Sequence, residues 1–210
     1  LNNFVHVLTC WVVVVEDFLS THFDIYRSEL SFAPKILLDS ISYSLGSGGK
    51  RFRPLLSLIV AEHYESDPML VLPWASAVEM VHTYSLIHDD LPCMDNDDER
   101  RGKPTNHKVY GEPMALLAGD GLLTEAFTLL CKFYQVDPGL GMQLMDKLSQ
   151  AAGLQGMIAG QVLDMQAEKV SVDAKGLMDL HKLKTGQLIR VALEGAGIAC
   201  GADQNDVLAL

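Results

Sequence analysis

The sequence is short of the features that mark several protein classes. Its four cysteines, Cys10, Cys93, Cys131 and Cys200, are scattered with no C-x-x-C pair. Neither a zinc site nor a disulfide framework is indicated, and reduced structural thiols are the plain reading. Positive charge is also scarce, since 16 Lys and Arg against 27 Asp and Glu give a net charge of -11. A nucleic-acid backbone is held mainly by Lys and Arg, so a nucleic-acid partner is not expected. An anionic substrate would need metal ions or localised basic residues. The apolar run at residues 4–15, ending in Val12, Val13, Val14 and Val15, falls short of the about 20 residues that span a bilayer. It lacks the basic leader and small-residue cleavage site of a secretory signal. No stable membrane anchor and a cytoplasmic location follow as expectations. The run is read as a buried first helix, although four consecutive β-branched residues are poor helix formers.

What is present suits one helical domain over residues 1–210, with 49% hydrophobic and 20% charged residues to build a sizeable core. Glycine and proline clusters near residues 46–49, 66–68, 92, 102–104, 111–113 and 138–141 cut the chain into helix-length pieces. Between them no sustained period-two pattern appears. Residues 70–91, 113–134, 141–169 and 177–200 instead repeat apolar residues at helical spacing, so the class is all-α.

The strongest chemical signal is DDLPCMDNDDERRGK, in which Asp89, Asp90, Asp95, Asp97, Asp98 and Glu99 run directly into Arg100, Arg101 and Lys103. A charge run is usually a solvated face, but three details tell against that here. The acids end an apolar helix that Pro92 should terminate, and carboxylates at a helix C-terminus face its negative dipole end unless a cation compensates. Magnesium suits that place, because it takes hard oxygen ligands and bridges carboxylates to phosphates. His82, Ser85 and Asp89 share one helix face as a polar stripe, which lines a cavity more readily than a core. The adjoining arginines match diphosphate oxygens bidentately.

From His82 onward, HTYSLIHDDLPCMDNDDERRGKPTNH resembles the first aspartate-rich region of the trans-isoprenyl diphosphate synthases, in the longer D-D-x-x-x-x-D spacing. GGKRFRP, at residues 48–54, resembles that family's isopentenyl diphosphate site, and GQVLD at 160–164 and KTGQLI at 184–189 resemble two further segments lining its cavity. The resemblance implies an isoprenoid-synthase-type helical bundle around a central cavity. It implies Mg2+, with Mn2+ as a substitute, held by Asp89, Asp90 and Asp95, and it gives Lys50, Arg53, His82 and Arg101 to the isopentenyl diphosphate. It gives Arg100, Gln161, Lys184 and Thr185 to the allylic diphosphate, with Lys184, Thr185, Asp89 and Asp95 catalytic. The family's helix breaks at K-T-G, and Gly186 inside a helical pattern is the local sign of it. His88 belongs to the motif without an assigned role, and the remaining histidines are read as surface or hydrogen-bonded core residues.

The implied reaction is ionisation of the allylic diphosphate to an allyl cation and attack on it by the double bond of isopentenyl diphosphate. A proton is then lost to the departing diphosphate, in a cavity dry enough to protect the cation. Family members usually form homodimers and continue past K-T-G to a second D-D-x-x-D segment. This sequence reaches Leu210 without one, and Asp203 and Asp206 do not supply it. A further C-terminal part is expected in the natural protein. For product length, Tyr84 lies five residues before Asp89, about 7.5 Å along a helix axis, with small Ser85 above it. An aromatic floor there favours farnesyl diphosphate as product. Geranylgeranyl diphosphate is the alternative, and a terpene cyclase and a non-catalytic regulatory subunit are the two non-synthase readings. The cyclase gives no reason for GGKRFRP, and a regulatory subunit would be expected to lose acids from the aspartate run.

Overall fold

The computed structural model describes the backbone of residues 2–29, 33–168, 170 and 172–210, and their side chains except those of residues 2–6 and 29. His6, the start of the 4–15 run and the expected helix end at Lys169 therefore lie outside the described residues.

The bundle is built around one helix. α4, Pro68–Asp89, starts where the Asp67 side chain accepts a hydrogen bond from the Met69 N–H at 3.0 Å and a proline occupies the first turn. Trp74, Ala77, Val78, Met80 and Val81 are all fully buried. A helix apolar on every side belongs in the centre of a protein. α4 packs against α3 (Phe52–His63), α6 (Glu112–Phe133) and α10 (Gln187–Ala199). Outside these lie α1 (Asn2–Glu29), α2 (Lys35–Leu45), α5 (Asn106–Tyr110), α7 (Pro138–Ala152), α8 (Met157–Ala167), α9 (Ala174–His181) and α11 (Gln204–Ala209). α6 is long and apolar enough to cross a membrane by length and composition, with mean hydropathy 1.5. It buries Ala115, Ala118, Leu122, Ala126 and Leu129 in the bundle.

The all-α reading stands, with one addition. Glu99–Arg100 (β1) pairs antiparallel with Lys103–Pro104 (β2). Between them Arg101 and Gly102 both take positive φ, +56° and +74°, the backbone of a two-residue hairpin turn. Such short strands carry no period-two signal, so the sequence shows only a turn.

Three expected helices differ in extent. The 141–169 segment divides into α7 and α8, and the glycines Gly153 and Gly156 bound the break. The 177–200 segment divides into α9, a π-helical turn Lys182–Gly186, and α10. α1 runs well beyond residue 15, and its valines are not all buried: Val15 is fully buried whereas Val13 is 50% exposed. Propensity loses there to amphipathic packing, with Val15, Leu19 and Phe23 facing the core. Cys10, Cys93 and Cys131 are exposed rather than packed inside as structural thiols.

Small residues mark close approaches. A Cβ at Gly160 of α8 would collide with the backbone of Lys184 in the π-helical turn, and one at Gly195 of α10 with the Trp74 indole. Gly195→Ala should therefore destabilise by about 2 kcal/mol, since α10 cannot rest on a fully buried tryptophan without repacking. Thermal melts should show a loss of about 4–8 °C. An unchanged melting temperature would mean that the α4–α10 contact is not tight.

Candidate active site

The C-terminal half of α4 faces a cavity of about 580 Å³ whose other walls come from α6, α8 and the π-helical turn. His82, Ser85 and Asp89 all line it, so the polar stripe read from the sequence does face a cavity. Gln161, Lys184 and Thr185 close the opposite side. Between these polar groups the wall is apolar, with Leu116 and Leu123 of α6 and Ile158 and Val162 of α8. Gln161 Nε2 is buried without a hydrogen-bond partner. Tyr84 also lines the space, 6% exposed, its ring edge-to-face with His88 at 5.6 Å. Burial, with Asp89 nearby, pushes its hydroxyl pKa up to about 12. The Ser85 hydroxyl donates to the His82 carbonyl at 2.8 Å.

The two acids at the helix end take different partners. Asp90, 3% exposed, is held by Arg100, whose Nε lies 2.8 and 3.0 Å from the two carboxylate oxygens and whose Nη2 is 2.5 Å from one of them. It lines a small cleft with Arg100 and Arg101 instead of the large cavity. Asp89 has no such clamp. Burial raises its pKa to about 6, Lys184 and Arg100 oppose that rise, and Asp95 and Asp90 add to it. The Asp95 backbone N–H donates to the Asp89 carbonyl at 2.8 Å, which folds the loop back over the helix end. Asp95 is exposed and lines neither large cavity.

A half-buried carboxylate short of positive charge, beside a second acid, suits a hard divalent cation. Among the described residues no group of three or more His, Cys, Asp or Glu is arranged to hold a metal ion. Mg2+ is usually bound through one or two carboxylates plus substrate phosphate oxygens and water rather than by an all-protein cage. Asp89 and the neighbouring Asp95 are the carboxylates that would hold such an ion. Lys184 faces them from the π-helical turn, its Nζ 2.5 Å from Asp164. Burial opposes its charge, but the Asp164 hydrogen bond and the charges of Asp89, Asp164 and Asp95 outweigh that and raise its pKa.

A second cavity, of about 600 Å³, lies on the other side of His82. Lys50, Arg53, His82 and Arg101 line it, and Arg53 and His82 line both cavities. Gly49 is needed there, because its φ is +139° and a Cβ would lie 2.5 Å from the Arg101 guanidinium. Arg101 also donates to the Gly48 carbonyl. Arg53 Nε is buried with no hydrogen-bond partner. Burial depresses the pKa of both Arg53 and Arg101, while Glu79 counters it in each.

Sequence reasoning missed two residues here, Arg51 and Glu79. Arg51, in the middle of KRFR, is buried and takes φ 45° at the start of α3. Its partner Glu79 lies one turn before His82, and a single acid in an apolar helix was the available signal. The Asp90–Arg100 pair was not foreseen either, since Asp90 was assigned to metal and Arg100 to the allylic diphosphate. Of the other histidines, His22 and His107 are buried and hydrogen-bonded, to Glu125 and Thr105, and His63 and His181 are exposed. Asp203 caps α11, accepting from the N–H groups of Asn205 and Asp206.

The site is thus an acid-mouthed apolar cavity beside a basic one within a helical bundle. Residues 34–210 match the polyprenyl synthetase family, and the chain belongs to that family. It is 49% identical over 172 residues to a farnesyl diphosphate synthase of Geobacillus stearothermophilus, covering 81% of this chain and 58% of that protein. It is 44% identical over 202 residues to a farnesyl diphosphate synthase of Bacillus subtilis, covering 95% and 68% respectively. Among solved structures, a geranyltransferase from Legionella pneumophila superposes with TM-score 0.91 at 33% identity, covering 97% of this chain and 71% of that one. The fold is thus the helical one of these synthases.

His82 supplies a pH test of the site. Burial, followed by Arg53, Arg101, Arg100 and Arg51, lowers its pKa from 6.5 to about 3. Between those values the unfolded chain holds the extra proton, so stability falls as pH drops through that window. His82→Asn should narrow the melting-temperature difference between about pH 7 and about pH 4.5 by roughly 5 °C. An unchanged difference would mean that the folded protein protonates His82 normally.

Proposed function

We propose that the protein, in its natural full length, condenses an allylic diphosphate, dimethylallyl or geranyl, head to tail with isopentenyl diphosphate to give farnesyl diphosphate and diphosphate. One observation carries this reading: the two cavities adjoin at Arg53 and His82. The first has an acid and a lysine above apolar walls, as an allylic diphosphate with a hydrocarbon tail requires. The second is lined by the basic side chains of Lys50, Arg53 and Arg101, as a second diphosphate requires. Relatives named farnesyl diphosphate synthases at 44% and 49% identity support the same product over geranylgeranyl diphosphate.

Asp89 and Asp95 would hold magnesium, which when bound supplies Lewis-acid stabilisation of the leaving diphosphate. Lys184 would neutralise the departing anion, and Thr185, in the same π-helical turn, would present its carbonyl toward the positive charge left on the allyl group. Arg100, fixed by Asp90, would add positive charge beside that diphosphate and Gln161 would donate to it. Lys50, Arg53, His82 and Arg101 would hold isopentenyl diphosphate with its double bond toward the first cavity. The apolar walls exclude water from the cation, and the diphosphate itself takes the proton, so no enzyme base is required. Tyr84 would stop the growing tail. A cytoplasmic homodimer is the form in which we expect it to act.

Incubation of the full-length protein alone with magnesium, labelled isopentenyl diphosphate and each allylic primer should give a fifteen-carbon product. No product from any primer would favour the regulatory-subunit reading, and a cyclised hydrocarbon the cyclase. Asp89→Ala should lower turnover on the order of 10³-fold or more. Normal magnesium-dependent turnover in that variant would remove Asp89 from the metal site. Tyr84→Ala should lengthen the product by at least one isoprene unit, whereas an unchanged product would leave Tyr84 as a packing residue.

A further inference from the structure

Glu79 is a charged residue of α4 that this chemistry leaves unused. It is 2% exposed, and its Oε1 lies 3.0 Å from Nη1 of Arg51, which is 3% exposed. Arg51 also reaches Glu16 of α1, at 3.0 Å from Nη2, and donates to the Leu45 carbonyl at the end of α2. The same arginine opens α3 in a left-handed conformation, φ 45° and ψ 38°. A non-glycine residue holds that backbone only where its surroundings over-determine it. Here the anchor is the side chain, buried between α1, α2 and α4. Lys50 and Arg53 flank Arg51, so the direction in which each leaves the backbone follows from that anchor.

Glu79 also lines the basic cavity together with Arg53 and Arg101. Glu79, with Glu16 on the outer side of Arg51, thus sets two carboxylates against three guanidinium groups, too little to neutralise them and enough to keep them assembled. Guanidinium groups brought together in a desolvated place repel one another. A counter-charge behind them leaves an excess of positive charge facing the cavity.

We propose that Glu79 is a positioning residue: through its ion pair with Arg51 it fixes residues 48–53 and pre-assembles Lys50, Arg53 and Arg101 as a diphosphate subsite. The proposal rests on reading that cavity as the isopentenyl diphosphate site. In the full-length protein, Glu79→Gln should raise KM for isopentenyl diphosphate at least about tenfold and move KM for the allylic substrate less than about twofold. Glu79→Asp, which keeps the charge, should recover part of the loss. Because Glu79→Gln strands Arg51, a second variant guards against misfolding. Arg51→Met with Glu79→Leu replaces the pair by apolar side chains and should restore the melting temperature while KM for isopentenyl diphosphate stays raised. Equal rises in both KM values, or full recovery of isopentenyl diphosphate KM in the double variant, would overturn the proposal. Lys50→Ala separates the two levels. If it leaves KM for isopentenyl diphosphate unchanged, the reading of the cavity fails; if it raises that KM while Glu79→Gln does not, only the positioning role fails.

Discussion

Asp89 and Asp90 are neighbours on the chain, yet a buried carboxylate must be paired, and only one of them is clamped. Arg100 takes Asp90 with a bidentate grip, and much else follows from that pair. It pins the β1–β2 hairpin to the end of α4, and the hairpin turn carries Arg101, whose guanidinium lands against Gly48 and Gly49. The basic cavity is therefore closed by a residue whose position is set at the acidic one. Asp89 is left as the under-compensated acid at the mouth of the apolar cavity. Had Arg100 paired with Asp89 instead, the mouth would carry little unmet negative charge, and a divalent cation would have less to gain there.

The same division explains how a chain with a net charge of -11 can face anionic molecules. The overall charge is carried largely by exposed acids, whereas Arg51, Arg53 and Lys184 are drawn inward beside α4 and α8 and the exposed Arg101 folds back over Gly48. In a half-buried site each charge acts through less water and is screened less by salt. Local arrangement, not net charge, decides what such a protein attracts. Desolvation sets the limit: it works against the charged form of Arg53, Arg101 and Lys184 alike, and each has a carboxylate partner that offsets it.

The sequence was most readable where one local rule acted alone. Apolar spacing marked α4 and α6, Pro92 marked the end of α4, and three- and four-residue spacing put His82, Ser85 and Asp89 on one face. The length of the aspartate run, with GGKRFRP, made the family legible as well. The rest depends on contacts between distant residues. That Asp90 turns to Arg100 rather than inward is settled by a hairpin ten residues away in the chain, and charge-run reading treats both acids alike. Arg51 sits between Lys50 and Arg53 in KRFR and looks like a third residue of the same kind, but a left-handed backbone sends it into the core. The breaks in the two long helical segments were hidden because glycine is tolerated in a helix, so composition alone does not say which glycine interrupts it.

The π-helical turn is the clearest case of local irregularity serving a site. An extra residue in one helical turn shifts the side chains that follow and loosens the regular hydrogen bonding, and such turns gather at functional positions. Here the turn carries Lys184 and Thr185 into the cavity wall, and α8 approaches it closely because position 160 has no Cβ. Asp164, one helical turn beyond Gly160, then holds the Lys184 ammonium at 2.5 Å. Gly160 brings the backbones together and Asp164 fixes the side chain, so the GQVLD and KTGQLI segments form one device although twenty residues separate their key members. Neither motif explains itself alone: a regular α-helix at 182–186 would rotate Lys184 along its axis, and a larger residue at 160 would move Asp164 away from it. The acid that keeps the lysine charged is partly exposed, at 38%. Its hold is therefore weaker than the buried Arg51–Glu79 pair, and an anion of higher charge entering the mouth has a cation it can draw away from Asp164.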